Sequence, residues 1–325
     1  MPFASPLSSL LAIGLIAFVW IVLSWEIVFI FLTIMRKIPG KLLKDHFKEE
    51  KYRKLISSKP AWLMHILFIF VIICLFWGYL VEPYRLHIER IQVETKKIAA
   101  GSTVRIVHLT DSHSVGRVRN EAKVTELVTS LNPDIVVFTG DVLSAPEGLP
   151  MFKEMMKPLS AQGGIFGVKG NWDEWYWNEM DLFGGTPIKE LKSDHVNVTI
   201  RNQTISVIGI GFGREMLLEE SIEGIHEEQY KILLYHKPDE IKNARDLGID
   251  LYLTGHTHGG QIRLPFYGAM MTLSDYGKKY ESGLFREGDT TMYVSRGIGT
   301  EDDGLLRARF LCPPEITYIE IIGTG

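Results

Sequence analysis

Five short apolar runs in the later two-thirds of this chain each end on Asp, Asn or His. VRIVHLT leads into Asp111-Ser112-His113, and DIVVFT into Gly140-Asp141. GIFGVK leads into Gly170-Asn171, and KILLY into His236-Lys237-Pro238. DLYLT leads into Gly255-His256-Thr257-His258-Gly259-Gly260. Runs of this kind, rich in β-formers and bounded by Gly and polar residues, read as buried strands. Residues 205–210, 292–295 and 316–321 read as further strands. Between the first two runs, Val124, Leu127, Val128 and Leu131 recur at helical spacing, and Asp239–Leu247 reads as a second helix. Strands alternating with helices predict an α/β layered fold. In such a fold, ligands bind at the carboxyl ends of the strands.

The strand-end set holds two Asp, one Asn and four His: Asp111, Asp141, Asn171, His113, His236, His256 and His258. Imidazole with carboxylate suits Mn²⁺, Zn²⁺ or Fe, whereas Ca²⁺ and Mg²⁺ prefer all-oxygen sites. Seven donors exceed what one tetrahedral ion needs. Two ions sharing a carboxylate would use them all. Asp-x-His and His-x-His suit strand ends, because residues two apart point to the same side. The glycines let backbone approach an ion without a Cβ in the way.

The order DSH, GD, GN, H, GHTHGG resembles that of the calcineurin-like metallophosphoesterases, with spacings of 30, 30, 65 and 20 residues from Asp111 through Asp141, Asn171 and His236 to His256. The resemblance covers residues 100–325. It implies a four-layer αββα sandwich with a di-metal centre, most simply two Mn²⁺. Asp111, His113 and His258 would hold one ion; Asn171, His236 and His256 the other; Asp141 would bridge. Asn171, Asp141 and His256 would also belong to the catalytic machinery, with water as nucleophile. The ending YVSRGIGTEDDGLLRARFLCPPEITYIEI is similar to that of membrane-associated bacterial members. That branch includes the UDP-2,3-diacylglucosamine pyrophosphatases of lipid A synthesis, and the chlamydial type is the most similar in pattern. It implies an amphiphilic, phosphate-containing lipid as substrate. Arg296, Arg307 and Arg309 are candidate phosphate or uridine contacts, since guanidinium pairs well with phosphate.

One residue departs from the family pattern. Many members read Gly-Asn-His-Asp/Glu, with that His acting on the leaving group; this chain reads Gly170-Asn171-Trp172-Asp173. An indole is no useful proton donor, and general acid catalysis contributes about 10²–10⁴-fold. The loss matters least for a weakly basic leaving group such as a phosphate monoester, with a second pKa of about 6. Trp172 therefore points either to a pyrophosphate substrate or to a proton supplied by another residue or a substrate activated in another way, and is itself a candidate substrate contact. Trp172, Trp175, Tyr176, Met180 and Phe183 share a helical face, which suits either a buried core or an aromatic surface for acyl chains and the bilayer.

The first hundred residues differ in kind. Leu7–Trp25 is uncharged, the apolar run resumes after Glu26, and Ala61–Val81 carries no formal charge. Each is long enough to cross a hydrocarbon core of about 30 Å as a helix. The expected organisation is membrane helix 1–35, basic loop 36–60, membrane helix 61–82, joining segment 83–99 and catalytic domain 100–325. Residues 1–100 hold 13 Lys+Arg and 7 Asp+Glu; subtraction from 35 and 39 leaves 22 and 32 for the rest, a balance of −10. That acidic remainder excludes a general nucleic-acid binder. The 36–60 loop has nine basic residues, which by the positive-inside rule places it in the cytoplasm and the domain outside. A cytoplasmic UDP-lipid substrate asks for the opposite. The expected location is a bacterial inner membrane, on a side these two arguments leave open, and the chain says nothing of oligomeric state. Cys74 and Cys312 form no expected pair.

Overall fold

A computed structural model describes residues 6–37, 54, 58–301 and 307–325. Most of the basic loop at 36–60 lies outside the described residues. The chain divides into two units, Ser5–Leu80 and Val81–Gly325.

The first unit pairs helix α1 (Pro6–Lys37) with helix α2 (Lys59–Phe76), which continues as a π-helical turn at Trp77–Val81. Ser58 caps α2 by accepting the Ala61 N–H, and Pro60 occupies a first-turn position where no N–H is needed. Two stretches of 26 residues, Ser9–Ile34 and Lys59–Tyr84, are long and apolar enough to cross a membrane. Most of their apolar side chains point outward. The one acid in the first run finds a partner in the second, where Glu26 Oε2 lies 2.7 Å from His65 Nδ1. Ionisable groups in an apolar setting are costly unless paired.

The second unit is built on two six-stranded sheets. The first has the order β1 (His87–Thr95), β14 (Glu315–Gly323), β2 (Thr103–Leu109), β3 (Ile135–Phe138), β4 (Ile165–Gly167), β5 (Ile188–Glu190). The second runs β12 (Gly283–Glu287), β13 (Thr290–Val294), β9 (Leu251–Thr254), β8 (Tyr230–Leu234), β7 (Gln203–Gly209), β6 (Asp194–Ile200). A two-residue hairpin, β10 (Arg263–Leu264) with β11 (Gly268–Ala269), stands apart. Strands β2 to β5 are mutually parallel, as are β7, β8, β9 and β13.

The layers follow from alternation along the strands. In β2, Val104 and Ile106 face one core while Val107 and Leu109 face another. The first core joins the sheets, bringing Ile106, Val137 and Ile319 together with Val207, Ile232 and Leu253. The second lies under helices α3 (Glu121–Leu131) and α4 (Leu149–Met156), through Val124, Val128, Phe152 and Met156. The third packs Ile241 and Ala244 of the 241–246 helix on the other sheet. The result is the expected αββα sandwich. Both faces of the central strands are buried, which is why they read as continuous apolar runs.

One boundary shifts. Residues 83–99, expected as a joining segment, contain β1, paired in parallel with β14 over nine positions from His87 to Thr95. β1 is an edge strand whose outer residues stay exposed, so its charges hid it. Strands β5, β6 and β12 and the β10–β11 hairpin also lie outside the expected runs, being short or mostly polar on one face.

Ile106→Ala, at the centre of the inter-sheet core, is expected to cost about 2–5 kcal/mol. Denaturant unfolding of the purified full chain should show this loss, with metal content per folded molecule unchanged.

Candidate metal centre

The carboxyl ends of β2, β3, β4, β8 and β9 deliver the seven expected donors to one edge. Asp111, His113 and His258 form one group with donor atoms within 4.8 Å of one another; Asp141, His236 and His256 form a second. The two are neighbours: His236 Nε2 is 3.1 Å from Asp141 Oδ2 and 3.9 Å from Asp111 Oδ1. His113 Nε2 is 3.1 Å from His258 Nε2 and 3.6 Å from Asp141 Oδ2. All seven residues are buried.

Five of the seven sit in the left-handed backbone region: Asp111 (φ 53°), His113 (41°), Asp141 (58°), His256 (68°) and His258 (50°). Such conformations cost of order 1–3 kcal/mol each and persist where surrounding structure over-determines them. The loops are pressed together closely enough to do so. A Cβ on Gly170 would lie 2.3 Å from Asp141 Oδ1, and one on Gly140 would lie 2.4 Å from the Gly170 nitrogen. Trp172 N–H donates to Asp141 Oδ1 at 2.9 Å. Asn171 therefore stands between two residues that touch Asp141.

The remaining ring nitrogens are anchored. His236 donates Nδ1–H to the Thr139 carbonyl (2.6 Å) and His256 donates Nε2–H to the Leu273 carbonyl (3.2 Å). His113 Nδ1 meets Ser144 Oγ at 3.0 Å. In the neutral ring these contacts leave a lone pair on His236 Nε2 and on His256 Nδ1. Such outer contacts commonly orient metal-ligating histidines.

Asp173 carries a role that its sequence position alone left unassigned. Its carboxylate accepts N–H groups from Asp141 (2.8 Å), Val142 (2.9 Å) and Gly170 (2.9 Å), sewing the second strand-end loop to the third. It is the third residue of helix α5 (Asn171–Tyr176), where an acid reaching back to the N-cap backbone is a known signature.

The aromatic stretch divides. α5 ends at Tyr176, so the expected single face does not extend to Phe183. Phe183 and Met180 pack into the core under the first sheet. Trp172 is half-buried beside the centre, edge-on to His113 with ring centroids 5.2 Å apart, its indole N–H on Glu301 Oε1 at 3.2 Å. Trp175 and Tyr176 are 61% and 59% exposed. The arginines also separate. Arg296 is engaged by Glu315 and Glu89. Arg309, expected as a phosphate contact, is wholly buried and donates to the carbonyls of Gly299 (2.9 Å), Cys312 (3.1 Å) and Arg296 (2.6 Å). It supports the loop behind His258 rather than facing an opening. Arg307 is half-buried beside the undescribed 302–306.

Residues 104–260 match the family model described as calcineurin-like phosphoesterase. An uncharacterized metallophosphoesterase of Bacillus subtilis, YkuE, is 31% identical over 262 residues, covering 75% of this chain and 88% of that protein. The chain belongs to the calcineurin-like metallophosphoesterase family. It is accordingly a metal-dependent phosphoester hydrolase. Among its other relatives, the UDP-2,3-diacylglucosamine pyrophosphatase LpxG of Chlamydia trachomatis is 27% identical over 311 residues, covering 76% of this chain and 92% of that protein. Phosphodiesterase YaeI of Escherichia coli is 28% identical over 199 residues, covering 58% of this chain and 71% of that protein.

The family implies divalent ions, and the phosphoesterase's own donors fit them. Asn171 Oδ1 is buried with no hydrogen-bond partner among the described residues. An orphaned buried acceptor costs about 1–3 kcal/mol, which a cation would remove. Charge points the same way. Burial pushes the Asp111 carboxyl up to about 6, and lowers His113 to about 4 and His256 to about 3. Burial also opposes charge on His236 and on the Asp141 carboxylate, but their attraction for each other outweighs it: His236 rises to about 9 and Asp141 falls to about 2. Without metal, the centre thus holds a proton on His236 at neutral pH.

Two expectations follow from this arrangement. Ligation needs the neutral ring, so metal uptake at pH 7 should expel the His236 proton. Apparent affinity should then rise about tenfold per pH unit and flatten near pH 9; calorimetry in buffers of different ionisation enthalpy reads the released proton. Asp173→Ala should lower metal affinity about 10–100-fold by freeing the two loops, with Asp173→Asn intermediate, as read by metal content after dialysis.

Proposed function

We propose that this chain is a membrane-anchored pyrophosphatase that cleaves UDP-2,3-diacylglucosamine to UMP and 2,3-diacylglucosamine 1-phosphate. The observation that carries the reading is Trp172, which stands beside the centre with its N–H held by Glu301. Position 172 offers no acid to a departing alkoxide, and a departing phosphate needs none. The likeness to the chlamydial pyrophosphatase over 92% of that protein supports the same class of substrate. The two apolar helices support anchoring, and the exposed Trp175 and Tyr176 add an aromatic surface suited to acyl chains.

Asp111, His113 and His258 would hold one ion, Asn171, His236 and His256 the other, with Asp141 shared; Mn²⁺ is the proposed metal. Ions there supply positive charge for phosphoryl oxygens and acidify water. Asp141 keeps its negative charge well below neutrality. Thr139 and Leu273 hold His236 and His256 in the ligating tautomer, and Asp173 keeps the loops in register. Trp172 packs edge-on against His113 beside the centre.

A second reading is an extracytoplasmic phosphodiesterase acting on another envelope lipid, favoured by the nine basic residues of the 36–60 loop. The purified chain with Mn²⁺ is expected to release UMP from UDP-2,3-diacylglucosamine faster than it hydrolyses unrelated alkyl diesters. Trp172→His is expected to raise the alkyl diester rate about tenfold or more, leaving the pyrophosphate rate nearly unchanged. Equal wild-type turnover of unrelated diesters would move the assignment to the second reading. A large gain on both substrates would remove the leaving-group argument.

A further inference from the structure

His256 is oriented from outside its own strand. Its Nε2–H donates to the Leu273 carbonyl at 3.2 Å, which leaves Nδ1 as the lone-pair nitrogen of the neutral ring. Leu273 belongs to no strand or helix; it lies in the irregular segment after the β10–β11 hairpin. That segment closes on itself, with Thr272 Oγ1 donating to the Gly277 carbonyl at 2.7 Å and Gly277 N–H to the Ser274 carbonyl at 2.9 Å. A loop carbonyl can orient an imidazole only as firmly as the loop itself is held.

Asp239 holds it. Asp239 Oδ1 accepts the Ser274 hydroxyl at 2.6 Å and the Asp275 N–H at 3.1 Å, from the two residues directly after Leu273. Oδ2 pairs with Lys237 Nζ at 2.6 Å. Ser274 Oγ in turn accepts the Tyr276 N–H at 3.1 Å, so its single proton is committed to Asp239. Ser274 is buried and the Asp239 side chain is 11% exposed, so water competes little for these bonds. Asp239 stands three residues after His236, in the short 3₁₀ turn Pro238–Glu240 that follows β8. One carboxylate thus joins the segment that carries His236 to the segment whose carbonyl orients His256.

We propose, on the reading that the centre holds two ions, that Asp239 is a positioning residue for the second of them: through the Leu273 carbonyl it holds His256 in its ligating tautomer. Without the carboxylate, Ser274 and Asp275 turn to water, the Leu273 carbonyl loses its fixed place, and the His256 proton is free to sit on either ring nitrogen. Outer contacts of this kind are commonly worth about 10–100-fold in metal affinity. The effect is one-sided. His113 meets Ser144, and the loop behind His258 is gathered by Arg309, so donors of the first ion have supports of their own.

The test uses the full chain in detergent, dialysed at fixed free Mn²⁺, with bound ions counted and the same samples read by electron paramagnetic resonance. Two Mn²⁺ ions that share a carboxylate are magnetically coupled, whereas a lone ion shows the hyperfine pattern of isolated Mn²⁺. The wild type is expected to hold both ions and give the coupled signal. Asp239→Ala is expected to keep the first ion, to bind the second about 10–100-fold more weakly, and to show the isolated-ion pattern. Asp239→Asn still accepts from Ser274 and Asp275 and is expected to restore the coupled signal. An unchanged coupled signal in Asp239→Ala overturns the inference, as does equal loss of both ions, which would make Asp239 a general support of the fold. Failure of Asp239→Asn to rescue assigns the effect to the Lys237 pair and overturns the route through Leu273. Where Asp239→Ala does not fold, Ser274→Ala decides: a weakened second ion supports the inference and an unchanged coupled signal overturns it. A wild type that holds one ion, or gives no coupled signal, removes the two-ion reading itself and the role of Asp239 with it.

Discussion

Everything at the catalytic edge depends on two buried carboxylates, Asp111 and Asp141, packed among four buried imidazoles. Burying such charges without compensation is prohibitive, and a buried group adapts by shifting its pKa or finding a partner. Here the shift is divided. Asp141 stays ionised against His236, Asp111 is pushed up, and the other histidines are held neutral. Taken alone, the protein has a cluster of lone pairs with one proton at its centre. Divalent ions are the chemical answer to that arrangement.

The cost of building the cluster is spread through the loops. Five of its donors lie in left-handed backbone, and glycines at 140 and 170 remove the Cβ atoms that would keep the loops apart. Asp173 then draws three N–H groups from two loops onto one carboxylate. Arg309 does a similar task on the other side, gathering carbonyls behind His258. The parallel strands beneath supply the rigidity. Their buried faces join one core between the sheets and two beneath the outer helices, so the edge that carries the donors has little freedom to relax.

The seven candidate donors were legible as a set because each follows an apolar run and each is a residue type that binds metal. Trp172 was legible as a departure at a position that the family usually gives to histidine. The supporting residues were not. Asp173 reads as an ordinary helix-start acid until its N–H partners from residues 141 and 142 are seen. Arg309 reads as a surface charge on a sequence with many; its burial depends on a loop folding over it from residues 296–299. Strand β1 has no continuous apolar signature, because it is an edge strand half-exposed to water. The aromatic stretch 172–183 looked like one helical face, but the helix stops after six residues, and its side chains go to three different environments.

What the sequence determined by itself is local in origin. Runs of β-formers, their polar terminations, two long apolar segments and the residue at 172 depend on chemistry within a few positions of the chain. Hydrophobic periodicity carries that information directly. Tertiary structure decided which groups meet across long separations: His236 with Asp141, Glu26 with His65, Cys312 with Glu82. It also decided which charges are buried and which rings are left in solvent. Those outcomes depend on how sheets stack and loops cross, and the distances involved are set by the packing of the whole domain rather than by any one segment.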